Sequence, residues 1–326
     1  MPTTPKTLER YWHPWPLYIW LLAQVTLIRI LAHLEVYLTE HLRPQVGDDV
    51  TVEKTTVASR EEGYRIPVHI YKPKEPAPGL PPVHVNVHGS GFCVPAYFGN
   101  SRWPCYLLAS KLKCIVIDVN YRKAPNYPFP HGREDVIDVI GWVLSQPQRF
   151  DTSRISMSGF SSGGSVAFSA ASEFGPEHIR SIACYYAPLN GDTDDARNGT
   201  LVRPKLKFRS GVVLIPWVFR ALYYSYIPPG ITAADYRISV HFTPTERLPK
   251  HMFFAAGDSD SMYREVVNMY NRIKEEGSPE QKANAILHIV KDEAHAFDEQ
   301  ARGPESERAR DEMFQIMIDV VRRSWE

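Results

Sequence analysis

The stretch Gly159-Phe160-Ser161-Ser162-Gly163 constrains this chain more than any other. It follows an alternating apolar segment, residues 154–158, and precedes small residues, 165–171, that begin a helix. A serine at the apex of such a strand-to-helix turn takes a strained backbone conformation, and small residues two positions before and after it let strand and helix pass closely. Its hydroxyl then stands above a sheet, at the positive end of the helix. Ser161 is therefore predicted to be a nucleophile.

Short apolar segments alternate with segments of helical spacing over most of the chain after residue 82. This alternation predicts an α/β protein with a mostly parallel, doubly wound sheet. Ahead of it, residues 50–57 and 64–71 alternate like an edge hairpin. The other predicted strands are 83–87, 114–119, 154–158, 181–186, 252–256 and 286–290, and the predicted helices lie around 103–113, 136–144, 262–276 and 307–325.

The alternation of strands and helices breaks down between residues 190 and 245. This segment is rich in proline and aromatic residues and too long for a simple connection, which predicts an inserted helical cap. Its position after the strand that follows the nucleophile helix places it over the mouth of the site.

The N-terminal segment 17–34 is largely apolar and about as long as a minimal membrane span, but Gln24, Arg29 and His33 interrupt it. No small-residue cleavage site follows, so a removed signal peptide is not expected. Three interpretations stay open: a cap helix over the site, an interfacial helix that attaches residues 12–38 to a membrane surface, and a signal anchor. The expected division is an N-terminal unit, 1–45, and a catalytic domain, 46–326.

Charge and cysteine content exclude several classes. Lys plus Arg and Asp plus Glu both number 37, so the formal net charge is zero and no nucleic-acid partner is expected. The four cysteines lack metal-ligand spacing and are too few for a disulfide scaffold. We expect reduced thiols in a cytoplasmic protein, with the endoplasmic reticulum as the membrane if the N-terminal segment attaches.

A serine nucleophile needs a base and an acid that orients the base, and in this topology their order is serine, acid, histidine. Asp258 and Asp260 follow the predicted strand 252–256, and His295 follows the last strand. His295 is therefore the predicted base. Either aspartate is a candidate acid, and the other is expected to cap the helix that begins near Met262.

An oxyanion hole is predicted in the turn His88-Gly89-Ser90-Gly91, which leaves the strand 83–87. The expected donors are the backbone N–H groups of Ser90, Gly91 and Ser162. His88 is interpreted as structural.

These motifs resemble the hormone-sensitive-lipase-like branch of the α/β-hydrolases, over roughly residue 82 to the C-terminus. Residues 88–92 resemble the HGGGF loop of this branch, and residues 159–164 resemble its GDSAGG motif. Residues 118–125 resemble its DYRLAPE segment, residues 128–130 its PFP segment and residues 134–135 its ED segment. Residues 260–265 resemble its DPLRDE motif, and residues 295–297 resemble its HGF motif. The DPLRDE match favours Asp260 as the acid. The resemblance implies an α/β-hydrolase fold with a helical cap built by the N-terminal residues and the insertion, and ester hydrolysis without metal or cofactor.

Three residues depart from the family pattern. Ser90 replaces a glycine, which strains the turn if that position needs positive φ. Phe160 replaces an acidic residue and makes the turn more apolar. Ser162 replaces alanine. No consequence is expected, because the backbone N–H of this residue, and not its side chain, would bind the oxyanion.

We therefore expect a serine carboxylesterase that removes a short acyl group from a hydrophobic small molecule, such as a secondary metabolite or a sterol. Alternatives are a lactonase or a non-hydrolytic cyclase or dehydratase on the same site. A non-catalytic ligand receptor is disfavoured, because plant relatives of that kind have lost the histidine that His295 supplies here. A homodimer is an open alternative to a monomer.

Overall fold

A computed structural model describes residues 13–198 and 207–326. The start of the predicted membrane-associated segment, up to residue 12, and residues 199–206 of the predicted insertion lie outside the described residues. Eight strands form one sheet: β1 (Val50–Ala58), β2 (Arg65–Pro73), β3 (Val83–Val87), β4 (Ile115–Val119), β5 (Ile155–Phe160), β6 (Ile179–Tyr185), β7 (His251–Gly257) and β8 (Ala285–Val290).

The strand order is β1-β2-β4-β3-β5-β6-β7-β8. The β1–β2 hairpin is antiparallel, β2 runs antiparallel to β4, and every pair from β4 to β8 is parallel. The predicted mostly parallel, doubly wound sheet is therefore confirmed. The chain reverses its direction of winding at β3, and the carboxyl edge beside such a switch point is where this architecture places its sites.

Nine helices are present in the described residues: α1 (Trp15–Thr39), α2 (Arg102–Leu112), α3 (His131–Leu144), α4 (Ser162–Phe174), α5 (Asp194–Asn198), α6 (Pro216–Tyr226), α7 (Tyr263–Glu276), α8 (Pro279–Asn284) and α9 (Gly303–Ser324). Three differ from the expectation. α9 begins four residues before the predicted start at 307. α3 begins five residues before the predicted start, since its first turn is polar and lacks apolar periodicity. α8 was not predicted, because a six-residue helix is too short to show a period; a capping box at Ser278 and Gln281 starts it.

The central strands are buried on both faces. All residues of β3, β4 and β5 are buried, because helices cover the sheet on both sides. The main apolar core fills the space between the sheet and these helices, and a second cluster lies under the cap.

The cap consists of α1, α5, α6 and the irregular segments around them. The buried face of α1 packs against α6, and the Arg29 guanidinium donates hydrogen bonds to the carbonyl oxygens of Cys93 (2.9 Å) and Ala124 (2.9 Å). Within the described residues, the insertion contains the short α-helices α5 and α6 and a 3-10 helix at Val240–Phe242. Its prolines leave the rest irregular.

One helix in the described part of the chain, spanning Trp15–Leu42 with its final turn, is long and apolar enough to cross a membrane by length and composition alone. Only 22% of its most apolar window is buried. A membrane anchor is therefore compatible with this helix.

Candidate active site

Ser161 lies at the turn between β5 and α4, with φ 49° and ψ −128°. The close approach of strand and helix explains the glycines around it. A Cβ at Gly159 would lie 2.4 Å from the Gly163 carbonyl oxygen, and one at Gly163 would lie 2.2 Å from the Val87 carbonyl oxygen. The strained turn is held by the Ser161 N–H, which donates to the Tyr185 carbonyl over 2.9 Å. The hydroxyl is thus placed at the carboxyl edge of the sheet.

The structure brings Ser161, His295 and Asp260 together. His295 Nε2 lies 2.9 Å from Ser161 Oγ, and His295 Nδ1 lies 3.1 Å and 3.0 Å from the two carboxylate oxygens of Asp260. Asp260 is fully buried and His295 is 5% exposed. This is the chain of contacts that activates a serine hydroxyl.

The protonation of His295 follows from its neighbours. An ionised carboxylate only accepts, so Nδ1–H donates to Asp260 and the Nε2 lone pair faces the serine hydroxyl. Burial opposes protonation of the imidazole. The charge and hydrogen bond of Asp260, together with Glu299 and Asp298, outweigh burial and raise the pKa of His295. The histidine is therefore a stronger base than usual.

The two candidate aspartates have different partners. Asp260 also accepts the Met262 N–H (2.7 Å), which fixes its carboxylate, whereas Asp258 accepts the Asp292 N–H (2.8 Å). The expectation that Asp258 caps the next helix is wrong, since α7 begins at Tyr263 without a side-chain cap. Gly257 pairs with Val290 in the sheet, so Asp258 meets the turn after β8 instead.

Two of the three predicted oxyanion donors are free, and the third is already hydrogen-bonded within the protein. The N–H groups of Gly91 and Ser162 have no acceptor within the described residues, and both residues line the cavity beside Ser161. The Ser90 N–H, in contrast, donates to Ser162 Oγ over 2.9 Å and is not free for a substrate. Positive φ occurs at Gly91 and Phe92 but not at Ser90, so the serine does not strain the turn.

Sequence reasoning missed a hydroxyl cluster behind this turn. The Tyr121 hydroxyl lies 2.6 Å from Ser90 Oγ and 3.2 Å from Ser162 Oγ, and it donates to the His88 carbonyl over 3.2 Å. Two of the three departures from the family pattern thus contact the same tyrosine. His88 Nδ1 lies 2.9 Å from the Gly89 carbonyl oxygen, within the turn.

Sequence reasoning also missed the anchor of the His295 loop. The buried carboxylate of Glu293 accepts hydrogen bonds from Arg209 Nε (3.0 Å), the Ser210 N–H (3.0 Å) and Ser306 Oγ (2.6 Å). The Val212 N–H then donates to the His295 carbonyl over 2.8 Å. The middle of the insertion, residues 209–212, therefore positions the histidine, a long-range pairing for which the sequence carries no local signal.

A cavity of about 310 Å³ opens beside Ser161. Its walls come from the turn after β3, the cap and the His295 loop, and most are apolar: Ile28, Phe92, Val213, Phe219, Leu222 and Tyr226 are among them. Burial raises the pKa of two carboxyl groups in the wall, Glu265 and Glu299, to about 7 each. Within the described residues, no cluster of three His, Cys, Asp or Glu could hold a metal ion.

Phe160, which precedes the nucleophile, is buried and stacks on Tyr185, with ring centroids 4.5 Å apart. The turn is therefore apolar at this position, as the sequence predicts.

The fold and the strained serine turn together define an α/β-hydrolase. A family profile described as the alpha/beta hydrolase fold matches residues 84–299, about two thirds of the chain. The protein belongs to this family, in its hormone-sensitive-lipase-like branch.

Among curated proteins, the chain is similar to arylacetamide deacetylase of Oryctolagus cuniculus, with 33% identity over 143 residues that cover 41% of this chain and 33% of that protein. It is similar to probable carboxylesterase 6 of Arabidopsis thaliana at 34% identity, over 30% of this chain and 32% of that protein. Ethyl acetate hydrolase of Pseudomonas putida is 32% identical over 32% of this chain and 34% of that protein. The matched segment thus spans about a third of each of these relatives.

Solved esterase structures share the fold over nearly the whole chain. A thermostable carboxylesterase from a metagenomic library superimposes with a TM-score of 0.75 and 20% identity, covering 93% of this chain and 98% of that one. An esterase from Pyrobaculum calidifontis gives a TM-score of 0.73 at 21% identity, covering 93% and 94%. At this identity the likeness concerns the fold.

Proposed function

We propose that the protein is a serine carboxylesterase that removes a short acyl group from a hydrophobic small molecule. The observation that carries the proposal is the continuous contact from Asp260 through His295 to Ser161, at 3.0 Å and 2.9 Å, beside two free backbone N–H groups. The matched relatives named as deacetylase, carboxylesterase and ethyl acetate hydrolase agree with this chemistry.

The chemistry proceeds in two halves. Ser161 Oγ attacks the ester carbonyl carbon while His295 Nε2 takes the hydroxyl proton, and the N–H groups of Gly91 and Ser162 receive the oxyanion. The imidazolium then gives its proton to the leaving alcohol, which leaves an acyl group on Ser161. Water then attacks the carbonyl carbon of the acyl-enzyme while His295 takes its proton. The imidazolium returns this proton to Ser161 Oγ, and the carboxylic acid leaves.

The cavity supports a compact substrate. Its volume of about 310 Å³ lies at the small end of the ~300–1,000 Å³ range of ligand pockets. A short-chain ester of a small secondary metabolite fits this space better than a sterol ester does. The apolar wall favours a hydrophobic alcohol, and the space left beside Ser161 favours a short acyl chain.

A substrate series tests the proposal. We expect kcat/KM for p-nitrophenyl esters to be highest for acetate or butyrate and to fall for octanoate and longer chains. In water labelled with oxygen-18, hydrolysis places one labelled oxygen in the acid product, whereas cyclisation or elimination does not. Retention of all label in the solvent, or binding of esters without turnover, would reject esterase activity.

We further propose a cytoplasmic protein associated with the endoplasmic reticulum membrane. Four free, buried cysteines fit a reducing compartment, and α1 has the length and composition of a membrane-binding helix. Fractionation of cells that express a tagged full chain tests this location, and recovery of the protein in the extracellular medium would contradict it.

A further inference from the structure

The outer face of α1 exposes apolar side chains along its whole length. Trp15 is 75% exposed, Ile30 61%, Leu34 53% and Tyr37 81%. From Trp15 to Leu38 no exposed residue is Asp, Glu, Lys or Arg. Soluble proteins rarely expose a continuous apolar strip of this kind unless it contacts a partner or a membrane.

Several polar groups of α1 are satisfied inside the protein, whereas the side-chain oxygen of Gln24 is buried without a hydrogen-bond partner in the described part of the chain. The two charged residues of α1, Arg29 and Glu35, are half-buried, and Arg29 donates to carbonyl groups of the catalytic domain. The Thr26 hydroxyl donates to the Leu22 carbonyl (2.7 Å), and His33 Nδ1 donates to the Arg29 carbonyl (2.7 Å). Because Thr26, Arg29 and His33 donate hydrogen bonds within the protein, they lower the cost of placing this face in lipid, where no water is present to accept them.

These features favour lipid over a second protein chain. Specific protein interfaces carry roughly one hydrogen bond per 100–200 Å², and this face offers few groups that could make them. Tryptophan stands at one end of the face (Trp15 and Trp20) and tyrosine at the other (Tyr37), which are the residues enriched where membrane meets water.

The same helix also lines the substrate cavity. Ile28 contributes to its wall, and so do Val212 and Val213, which are 41% and 38% exposed at the rim. The buried side of α1 therefore forms part of the cavity wall, while its opposite side is the exposed apolar face. We propose that α1 lies flat in the interface of a lipid bilayer and that the apolar ester enters the cavity from the lipid side.

The docking of α1 distinguishes this arrangement from a membrane span. The buried side of α1 packs on the domain, and the Arg29 hydrogen bonds hold the helix along it; the buried residues are Leu21, Val25, Ile28 and Ala32. A span would have to release all of these contacts and surround the helix with lipid. The proposal of lipid-side entry rests on the proposed esterase function, whereas attachment itself does not.

Flotation of the purified full chain with phosphatidylcholine vesicles tests attachment. We expect the wild type to float with the vesicles at both low and high salt, because the face carries no charge. The double variant Ile30→Glu/Leu34→Glu should lower the partition coefficient on the order of a hundredfold, since each change removes a large apolar side chain from the lipid. The matched control Leu80→Glu/Phe242→Glu changes two apolar residues of 44% and 43% exposure in other segments of the chain and should float like the wild type.

Four results would overturn attachment by a flat helix. Absence of the wild type from the vesicle fraction rejects it, and so does equal loss of flotation in the control variant. Resistance of the membrane-bound protein to alkaline carbonate indicates a span. A wild-type dimer that Ile30→Glu/Leu34→Glu converts to a monomer, without vesicle binding, assigns the face to a second copy.

Activity measurements separate this proposal from the proposed function. Hydrolysis of water-soluble p-nitrophenyl acetate by Ile30→Glu/Leu34→Glu should equal that of the wild type, and circular dichroism should show equal thermal unfolding. Hydrolysis of a compact acetate ester of an apolar alcohol, dissolved in the vesicles, should fall with vesicle binding. Full turnover of this lipid-dissolved ester by the variant would reject entry from the lipid.

Discussion

The backbone N–H of Ser90 donates a hydrogen bond to the side-chain hydroxyl of Ser162 over 2.9 Å. This bond joins the turn after β3 to the first residue of the nucleophile helix. Since the next residue, Gly91, has a free N–H, we infer that the Ser162 side chain positions this N–H for the oxyanion.

Replacement Ser162→Ala should therefore lower kcat while leaving the nucleophile reactive. The lost hydrogen bond is worth about 1 kcal/mol, which corresponds to a fall in kcat of roughly fivefold to tenfold. Steady-state kinetics on p-nitrophenyl acetate measure this fall, and labelling of Ser161 by a fluorophosphonate should persist. An unchanged kcat would show that the Ser162 hydroxyl has no positioning role.

Replacement Asp260→Asn should reduce kcat by about 10⁴-fold, because an amide donor facing Nδ1 favours the wrong tautomer of His295. The control is Asp258→Asn, whose side chain can still accept the Asp292 N–H. The control should keep most of the wild-type activity. Similar losses in both variants would contradict the assignment of Asp260 as the orienting acid.

The raised pKa of His295 predicts the acid limb of the pH profile. Only the neutral imidazole accepts the serine proton, so kcat/KM should fall as the pH drops through the pKa of His295. The midpoint should lie above the ordinary histidine value of about 6.5. Residual activity of Asp260→Asn should show a lower midpoint, and a wild-type midpoint below 6 would contradict the prediction.

Removal of the Glu293 carboxylate should destabilise the protein by about 3 kcal/mol, because it leaves Arg209, the Ser210 N–H and Ser306 without their buried acceptor. Urea unfolding of Glu293→Ala measures this loss. The control Glu305→Ala removes an exposed partner of the same arginine and should cost less than about 1 kcal/mol. Equal stability of the two variants would contradict the anchoring role of Glu293.

The sequence predicted much of the fold and the local parts of the site. The strand-turn-helix around Ser161 is specified by neighbouring residues. Strand and helix approach each other so closely that only glycine fits at positions 159 and 163. Asp260 and His295 could be proposed because each follows a strand, and parallel strands end at one edge of the sheet. Their contact with Ser161 is what the structure adds.

Other features depend on contacts between distant segments and leave no local pattern. Tyr121 reaches Ser162, 41 positions away, and the segment around Ser210 pairs with the loop before His295. The position of α1 on the catalytic domain is another example. The hydropathy of this segment is compatible with a cap helix, an interfacial helix or a membrane span. The hydrogen bonds from Arg29 to the carbonyl groups of Cys93 and Ala124 hold the helix on the domain.

The most direct measurement is labelling and turnover of Ser161→Ala beside the control Ser172→Ala, whose hydroxyl donates only to a carbonyl within α4. We expect the wild type and the control to bind one fluorophosphonate group and to hydrolyse p-nitrophenyl acetate. Ser161→Ala should take no label and lose activity by at least about 10³-fold. A folded Ser161→Ala protein that is still labelled, or that still hydrolyses the ester at the wild-type rate, would contradict nucleophilic catalysis at this site.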